Sequence, residues 1–162
     1  MEILWSPWRH EYINATGPQT SNPTCIFCAA QQDPSDDEPN LVVHRGDHNF
    51  VILNRYPYIS GHLMVAPYQH IGQLSAAPKP ATDEMMDLVK RCEQALRATY
   101  KPEGLNLGMN LGKVAGAGVA DHIHMHVLPR WGGDTNFMST VADTRVLPED
   151  LEMTYRKLRG KI

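Results

Sequence analysis

Residues 122–131 read HIHMHVLPRW, a histidine at every second position with Ile123, Met125 and Val127 in the alternate places. In a β-strand the side chains at i, i+2 and i+4 share one face, about 6.6 Å between neighbours. His122, His124 and His126 are therefore expected along one face, with the apolar set turned to a core. That leaves the imidazoles on a surface or in a cleft that ligands can reach. A lone histidine would read as an ordinary hydrogen-bonding residue. A polar strand face needing only solubility has simpler choices in Thr, Lys or Glu, so three histidines in step point to chemistry.

Upstream, three short β-rich runs, LVVHR (41–45), NFVILN (49–54) and GHLMVAP (61–67), are broken by Gly, Asp, Pro and Asn, the pattern of an antiparallel meander. SAAPKPAT (75–82) ends it. Thr82 is the expected N-cap of a long helix running to about Tyr100, with Asp83 and Glu84 in its first turn. Its apolar stripe is Met85, Leu88, Val89, Cys92, Leu96 and Tyr100, which makes Cys92 a buried structural thiol. Another strand, LNLGMNLG (105–112), and a small-residue loop, KVAGAGVAD (113–121), lead into the histidines. LPEDLEMTYRKLRG (147–160) has acidic residues first and basic residues last, as a helix dipole prefers. Strands, helix, strands, helix describe an α+β domain, an antiparallel sheet with one long helix and a C-terminal helix.

At 162 residues the chain is expected to form one domain, with an N-terminal arm over 1–24, a core over 25–131 and a C-terminal extension over 132–162. Trp5 and Trp8 in the arm read as packing residues. The acidic, proline-containing AAQQDPSDDEPN (29–40) reads as a solvated loop. A formal net charge of -3 gives no broad basic field, so neither nucleic acid nor an anionic membrane is expected as a partner, and small-molecule chemistry is favoured. No signal peptide and no bilayer-length apolar run stand out, which makes a cytoplasmic protein the expectation. Three cysteines, two of them in C-x-x-C spacing, do not form a secreted disulfide framework.

The chemistry-bearing residues fall in two groups. Gly112, Gly116 and Gly118 let backbone approach a ligand and turn N–H groups toward an anion, and this loop opens directly onto the histidines. An imidazole beside bound phosphate suggests nucleophilic attack on phosphorus through a phosphoramidate intermediate. His124, with a neighbour on either side, is the best nucleophile, and His126 with backbone N–H groups would stabilise the charged oxygens. The second group is Cys25 and Cys28, suited to half of a tetrahedral zinc shell, with His70 and His122 as the candidate remaining ligands. Buried thiols or a redox pair are equally compatible with C-x-x-C alone. Such a zinc would be structural and closed.

HIHMHVLP resembles the H-x-H-x-H signature of the histidine-triad (HIT) superfamily. LNRYPYISGHLMVAPYQH is similar to that family's upstream segment, CIFC to the zinc-binding start of many bacterial members, and MNLGKVAGAGVADH to their phosphate loop. WSPWRHEYI and PRWGGDTNF resemble more particularly the branch that includes bacterial diadenosine tetraphosphate phosphorylases, also called ATP adenylyltransferases. The resemblance implies a HIT-like fold whose sheet continues across a homodimer, and a nucleoside monophosphate carried on His124. It further implies that Asn54 holds ribose hydroxyls, that Asn110 and the loop Gly116, Ala117 and Gly118 hold phosphates, and that His126 contacts phosphate oxygens. His62 would support the histidine cluster, and His70 and His122 would join the cysteines around Zn²⁺, with no organic cofactor. Trp131 either closes the phosphate site or packs. One departure stands out: Gly118 and Val119 occupy the end of the loop where many members carry Gln, Ser or Thr, so a side-chain donor is missing there.

The leading expectation is phosphorolysis of a dinucleoside polyphosphate, diadenosine tetraphosphate giving ATP and ADP. The alternatives are a nucleotide or phosphoramidate hydrolase using water, a non-catalytic nucleotide-binding module, and a three-histidine metal enzyme with an activated water. The presence of His124 argues against the binding module. The cysteine pair and glycine loop argue against the metalloenzyme.

Overall fold

The computed structural model describes residues 25–135 and 147–162. The expectations for Trp5 and Trp8, and for the end of PRWGGDTNF, lie outside those residues. Among the described residues five strands form one antiparallel sheet in the order β1-β2-β3-β5-β4. These are β1 (Val42–Arg45), β2 (Asn49–Leu53), β3 (Leu63–Pro67), β4 (Gly104–Met109) and β5 (Met125–Arg130). The meander expected over 41–67 is present, and the α+β class with it. No helix among the described residues is long and apolar enough to cross a bilayer.

Strand register gives the sheet two distinct faces. Ile52 is opposite Met64, Met64 opposite His126, and His126 opposite Gly108, so one row of residues crosses four strands on the histidine face, three of them bearing side chains. Val51, Val65, Met125 and Met109 form the corresponding row on the other face. The long helix covers this second face, burying Met85, Leu88, Val89, Cys92 and Leu96. Gly61 marks how closely it packs, because a Cβ there would lie 3.1 Å from Leu96 and 3.2 Å from Tyr100, at a φ of +82°.

The long helix spans Lys79–Tyr100 and starts three residues before the expected Thr82 cap. Pro80 falls in the first turn, where a missing N–H breaks no helical bond, so the proline that read as punctuation begins the helix instead. Thr82 lies inside it and donates to the Lys79 carbonyl at 2.9 Å. The helix ends at Lys101 in the left-handed conformation (φ +49°), followed by Pro102. Glu84 joins it to the β1–β2 turn, accepting the N–H groups of Asp47 at 2.6 Å and His48 at 2.8 Å and the Asn49 amide at 2.8 Å.

The segment 29–40 is more ordered than its composition suggests. It carries α1 (Ile26–Ala30), a 3-10 turn (Pro34–Asp36) and α2 (Asp37–Asn40), so the long helix is α3 in chain order. Arg45 of β1 binds it with a 2.7 Å contact to Asp37 and a 3.0 Å bond to the Gln31 carbonyl. The buried anchor of α1 is Phe27, which lies on the histidine face beside Phe50 at a centroid distance of 6.5 Å. The C-terminal helix, α4 (Leu151–Leu158), is capped by Asp150, which accepts the Met153 N–H at 2.7 Å.

Candidate active site

Two of the three histidines precede the strand they were expected to occupy. β5 begins at Met125, while His122 and His124 lie in the approach to it, secured by a 2.8 Å bond from the Ile123 N–H to the Ile71 carbonyl. The larger correction concerns exposure. His122, His124 and His126 are 0%, 4% and 8% exposed, so they are buried rather than displayed on an open strand face. The cover is Phe27, whose ring lies 5.1 Å from that of His122 and 4.8 Å from that of His124.

The Ile71–Ile123 bond also explains how the metal candidates meet. It joins the chain after β3 to the chain before β5, placing His70 and His122 ring to ring at 5.1 Å. Gly72 permits this approach, since a Cβ there would sit 3.2 Å from the Cα of Asp121. The expected set of Cys25, Cys28, His70 and His122 comes together, its ligand atoms all within 4.8 Å of one another. Sγ of Cys25 is 3.3 Å from Nδ1 of His122, Sγ of Cys28 is 3.7 Å from the same nitrogen, and Sγ of Cys28 is 3.3 Å from Nδ1 of His70. Bonds of about 2.3 Å to sulfur and 2.0–2.1 Å to nitrogen at a tetrahedral angle require S···N edges of about 3.6 Å. The four groups therefore fit one tetrahedral ion.

Their protonation supports the fit. Nε2 of His122 lies 2.8 Å from the carbonyl of Pro67, which can only accept, so Nε2 carries the proton and Nδ1 faces the cysteines bare. Burial acts to raise the Cys25 thiol, and the N–H groups of Cys28 and Phe27 act to lower it. Burial and the neighbouring Cys25 raise Cys28. A metal would displace the thiol protons and meet the bare Nδ1 of His122. Cys92 stands apart as expected, wholly buried, its thiol pushed by burial up to about 12.

The same kind of argument locates the protons on the other imidazoles. Nδ1 of His124 is 2.9 Å from the backbone carbonyl of His122, so Nδ1 donates and Nε2 carries the lone pair. Burial lowers the His124 pKa, which favours the neutral, nucleophilic form. Nδ1 of His62 receives the Tyr58 N–H at 3.2 Å. Neutral His62 consequently carries its proton on Nε2, 2.9 Å from Nδ1 of His126. His126 then accepts at Nδ1 and keeps its own proton on Nε2. His62 and His126 are in ring contact at 5.0 Å, and His124 and His126 at 4.9 Å.

Of the remaining expected residues, Asn54 touches this cluster. Asn54 Oδ1 accepts the Tyr56 N–H at 2.9 Å, which turns its Nδ2 toward Nδ1 of His62 at 3.4 Å. Asn110 Nδ2 braces the glycine loop through the Gly116 carbonyl at 3.4 Å. That loop turns through Gly112 at φ +84° and Gly116 at φ +90°, with Ala117 buried and Gly118 exposed. Trp131 packs edge-on against Tyr100 at 6.4 Å. Sequence reasoning missed Phe27 and Tyr58. The only signals were an aromatic between the two cysteines of CIFC and another inside YPYISGH.

Comparison with known proteins gives one consistent result. The family model for the HIT domain matches residues 35–133. A Mycobacterium tuberculosis protein named AP-4-A phosphorylase is 38% identical, the alignment covering 98% of this chain and 83% of that relative. Protein hit of Bacillus subtilis is 32% identical over 79% of this chain and 87% of its own. Among solved structures, a zinc-bound histidine triad family protein from Mycobacterium smegmatis superimposes with a TM-score of 0.67, at 29% identity, covering 85% of this chain and 92% of that one.

Proposed function

The chain belongs to the HIT-domain family, and from that premise we propose that it is a nucleotidyl-transferring enzyme that phosphorolyses a dinucleoside polyphosphate through a nucleotidyl-His124 intermediate. The observation that carries this reading is the 2.9 Å bond between Nδ1 of His124 and the His122 carbonyl, which directs a bare Nε2 away from the backbone. In diadenosine tetraphosphate, Nε2 attacks the phosphorus next to one adenosine. A P–N bond forms, the P–O bond to the rest of the chain breaks, and ATP leaves with the electron pair. Inorganic phosphate then attacks the same phosphorus, the P–N bond breaks, and ADP is released with His124 restored. The relative named AP-4-A phosphorylase supports this choice of substrate and second nucleophile.

His126 presents its Nε2–H to the non-bridging oxygens as their charge grows. Asn54 offers the ribose its second amide N–H and remaining lone pair. The N–H groups of Gly116 and Ala117 already bond the carbonyls of Lys113 and Gly112, so the phosphates are left to the N–H groups that follow, from Gly118 and Val119, while Asn110 keeps the loop in place. Zinc is the ion we assign to Cys25, Cys28, His70 and His122, because two thiolates and two imidazoles match its ligand preference. With four protein ligands it would supply structure, leaving the chemistry to the histidines. The exposed residues Asn106, Leu107 and Gly108 lie on β4 at the end of the strand order, which supports a homodimer joined through this edge. Three cysteines, two of them gathered with two histidines as metal-ligand candidates, suit a reducing compartment, in keeping with a cytoplasmic location.

The test follows ATP, ADP and AMP separately from diadenosine tetraphosphate, with and without inorganic phosphate, using His124→Ala as control. Matched ATP and ADP that require phosphate are expected. AMP released without phosphate would replace the reading by a hydrolase, and an active His124→Ala protein would remove His124 from the chemistry.

A further inference from the structure

The direction of the hydrogen bond between His62 and His126 decides what a substrate meets. If His62 donates, His126 shows a donor to the site. If the proton sits on Nδ1 of His126, the site meets a bare nitrogen that repels phosphate oxygens. Both imidazoles are nearly closed to solvent, His62 at 1% exposure and His126 at 8%. Water entering beside them would compete for the bond and relay the proton between the two arrangements.

Tyr58 occupies the place from which the pair is controlled. Its backbone N–H donates to Nδ1 of His62 at 3.2 Å, which keeps that nitrogen unprotonated. Its ring lies tilted beside both imidazoles, 4.8 Å from His62 at an interplanar angle of 41°, and 6.0 Å from His126 at 32°. One residue thus touches the bond from two directions, through its amide and through its ring. The amide alone cannot prevent His126 from turning its ring over, whereas an aromatic ring packed against both imidazoles opposes that rotation and excludes water. The chain in between is fixed independently, by Asn54 accepting the Tyr56 N–H and by a 3.2 Å bond from the His62 N–H to the Ile59 carbonyl.

We propose that Tyr58 is a positioning residue that clamps the His62–His126 pair in the arrangement where His126 presents Nε2–H to the reacting phosphate. It acts through His126 and needs no contact with substrate. The kinetic consequence rests on the proposed nucleotidyl transfer, but the structural one does not.

The experiment compares the full-length parent with Tyr58→Phe and Tyr58→Ala, using long-range ¹H–¹⁵N correlation spectra of histidine-labelled, ligand-free protein, followed by kcat and KM for diadenosine tetraphosphate. The parent and Tyr58→Phe are expected to show His126 protonated only at Nε2. In Tyr58→Ala the two His126 nitrogens should move toward averaged shifts, and kcat should fall on the order of tenfold to a hundredfold while KM stays within about twofold. Should Tyr58→Ala fail to fold, Tyr58→Leu, which keeps bulk without an aromatic face, carries the same comparison. A single, unchanged His126 tautomer in the Ala or Leu variant overturns the proposal, as does a parent protonated at Nδ1, or a Phe variant that behaves like Ala. If the tautomers respond as expected and no variant turns the dinucleotide over, the proposed reaction fails and the clamp stands.

Discussion

Replacing Phe27 by alanine tests whether the segment carrying the cysteines is held by packing as well as by metal. α1 has five residues, too few to be stable alone, and its buried side chains are Phe27 and Ala30. Phe27 is 1% exposed and fills the space between Phe50, His122 and His124. Burial of a phenylalanine side chain is worth about 2–3 kcal/mol. A residual cavity on the order of 100 Å³, at about 24 cal/mol per Å³, would add about 2 kcal/mol if nothing moved. A short helix near the surface can settle inward, so the expected loss is about 3 kcal/mol, at the lower end of the range for such truncations. The assay is urea unfolding of parent and variant with the metal stripped, followed by a zinc titration of each. Because the variant must reorder α1 to assemble the ligands, its zinc affinity should fall by up to about a hundredfold, the equivalent of that energy. A stability loss below about 1 kcal/mol with unchanged zinc affinity would refute the account of Phe27 as the anchor.

Glu84→Gln should cost about 2 kcal/mol, because a charged acceptor of three hydrogen bonds is replaced by a neutral amide with one acceptor oxygen. Burial acts to raise the Glu84 pKa, but the bonds from Asn49, Asp47 and His48 lower it overall, so the stabilisation is complete above the unfolded-state value of 4.5 and disappears as pH falls through the folded one. The gap in Tm between parent and variant should accordingly close on acidification, and a constant gap would show the charge to be irrelevant. His70→Ala, at an exposed ligand, should leave the fold intact and abolish retention of about one zinc per chain through dialysis, read by elemental analysis; full retention would remove His70 from the shell. In metal-stripped native protein Cys25 and Cys28 should react with a disulfide reagent while buried Cys92 reacts only after unfolding, and early modification of Cys92 would contradict its place under α3.

The strands were legible because β-branched runs separated by turn residues carry a local signal, and β1, β2 and β3 lie within the three runs that show it. The start of α3 was misread for an equally local reason: proline interrupts a helix but is welcome in its first turn, and composition alone does not distinguish these positions. The metal set was legible because thiols and imidazoles are rare and their chemistry is narrow. Burial of the histidines was not, because their cover comes from Phe27, about a hundred residues away in the chain, and no periodicity around residue 124 reports it. The tautomers were also out of reach, since they depend on the carbonyls of Pro67 and His122 and the amide of Tyr58, groups that every sequence contains.

The three histidines of the row are chemically unlike one another because each has its proton fixed by a different neighbour. His122 donates to Pro67 and turns a bare nitrogen toward the cysteines. His124 donates to His122 and turns a bare nitrogen outward. His126 accepts from His62 and keeps its proton on Nε2. Only His126 lies within β5, paired to Met64 on one side and Gly108 on the other. His122 and His124 owe their order to contacts from outside the sheet: the Ile71 carbonyl, the ring of Phe27 and the cysteine cluster. His122 is the shared point, its side chain directed at the two cysteines and its carbonyl at the His124 ring. Alternation by two residues puts all three rings on one side, and the unequal anchoring then divides the row into a histidine fixed on the sheet and one, the proposed nucleophile, whose orientation depends on the cysteine-bearing segment that covers it.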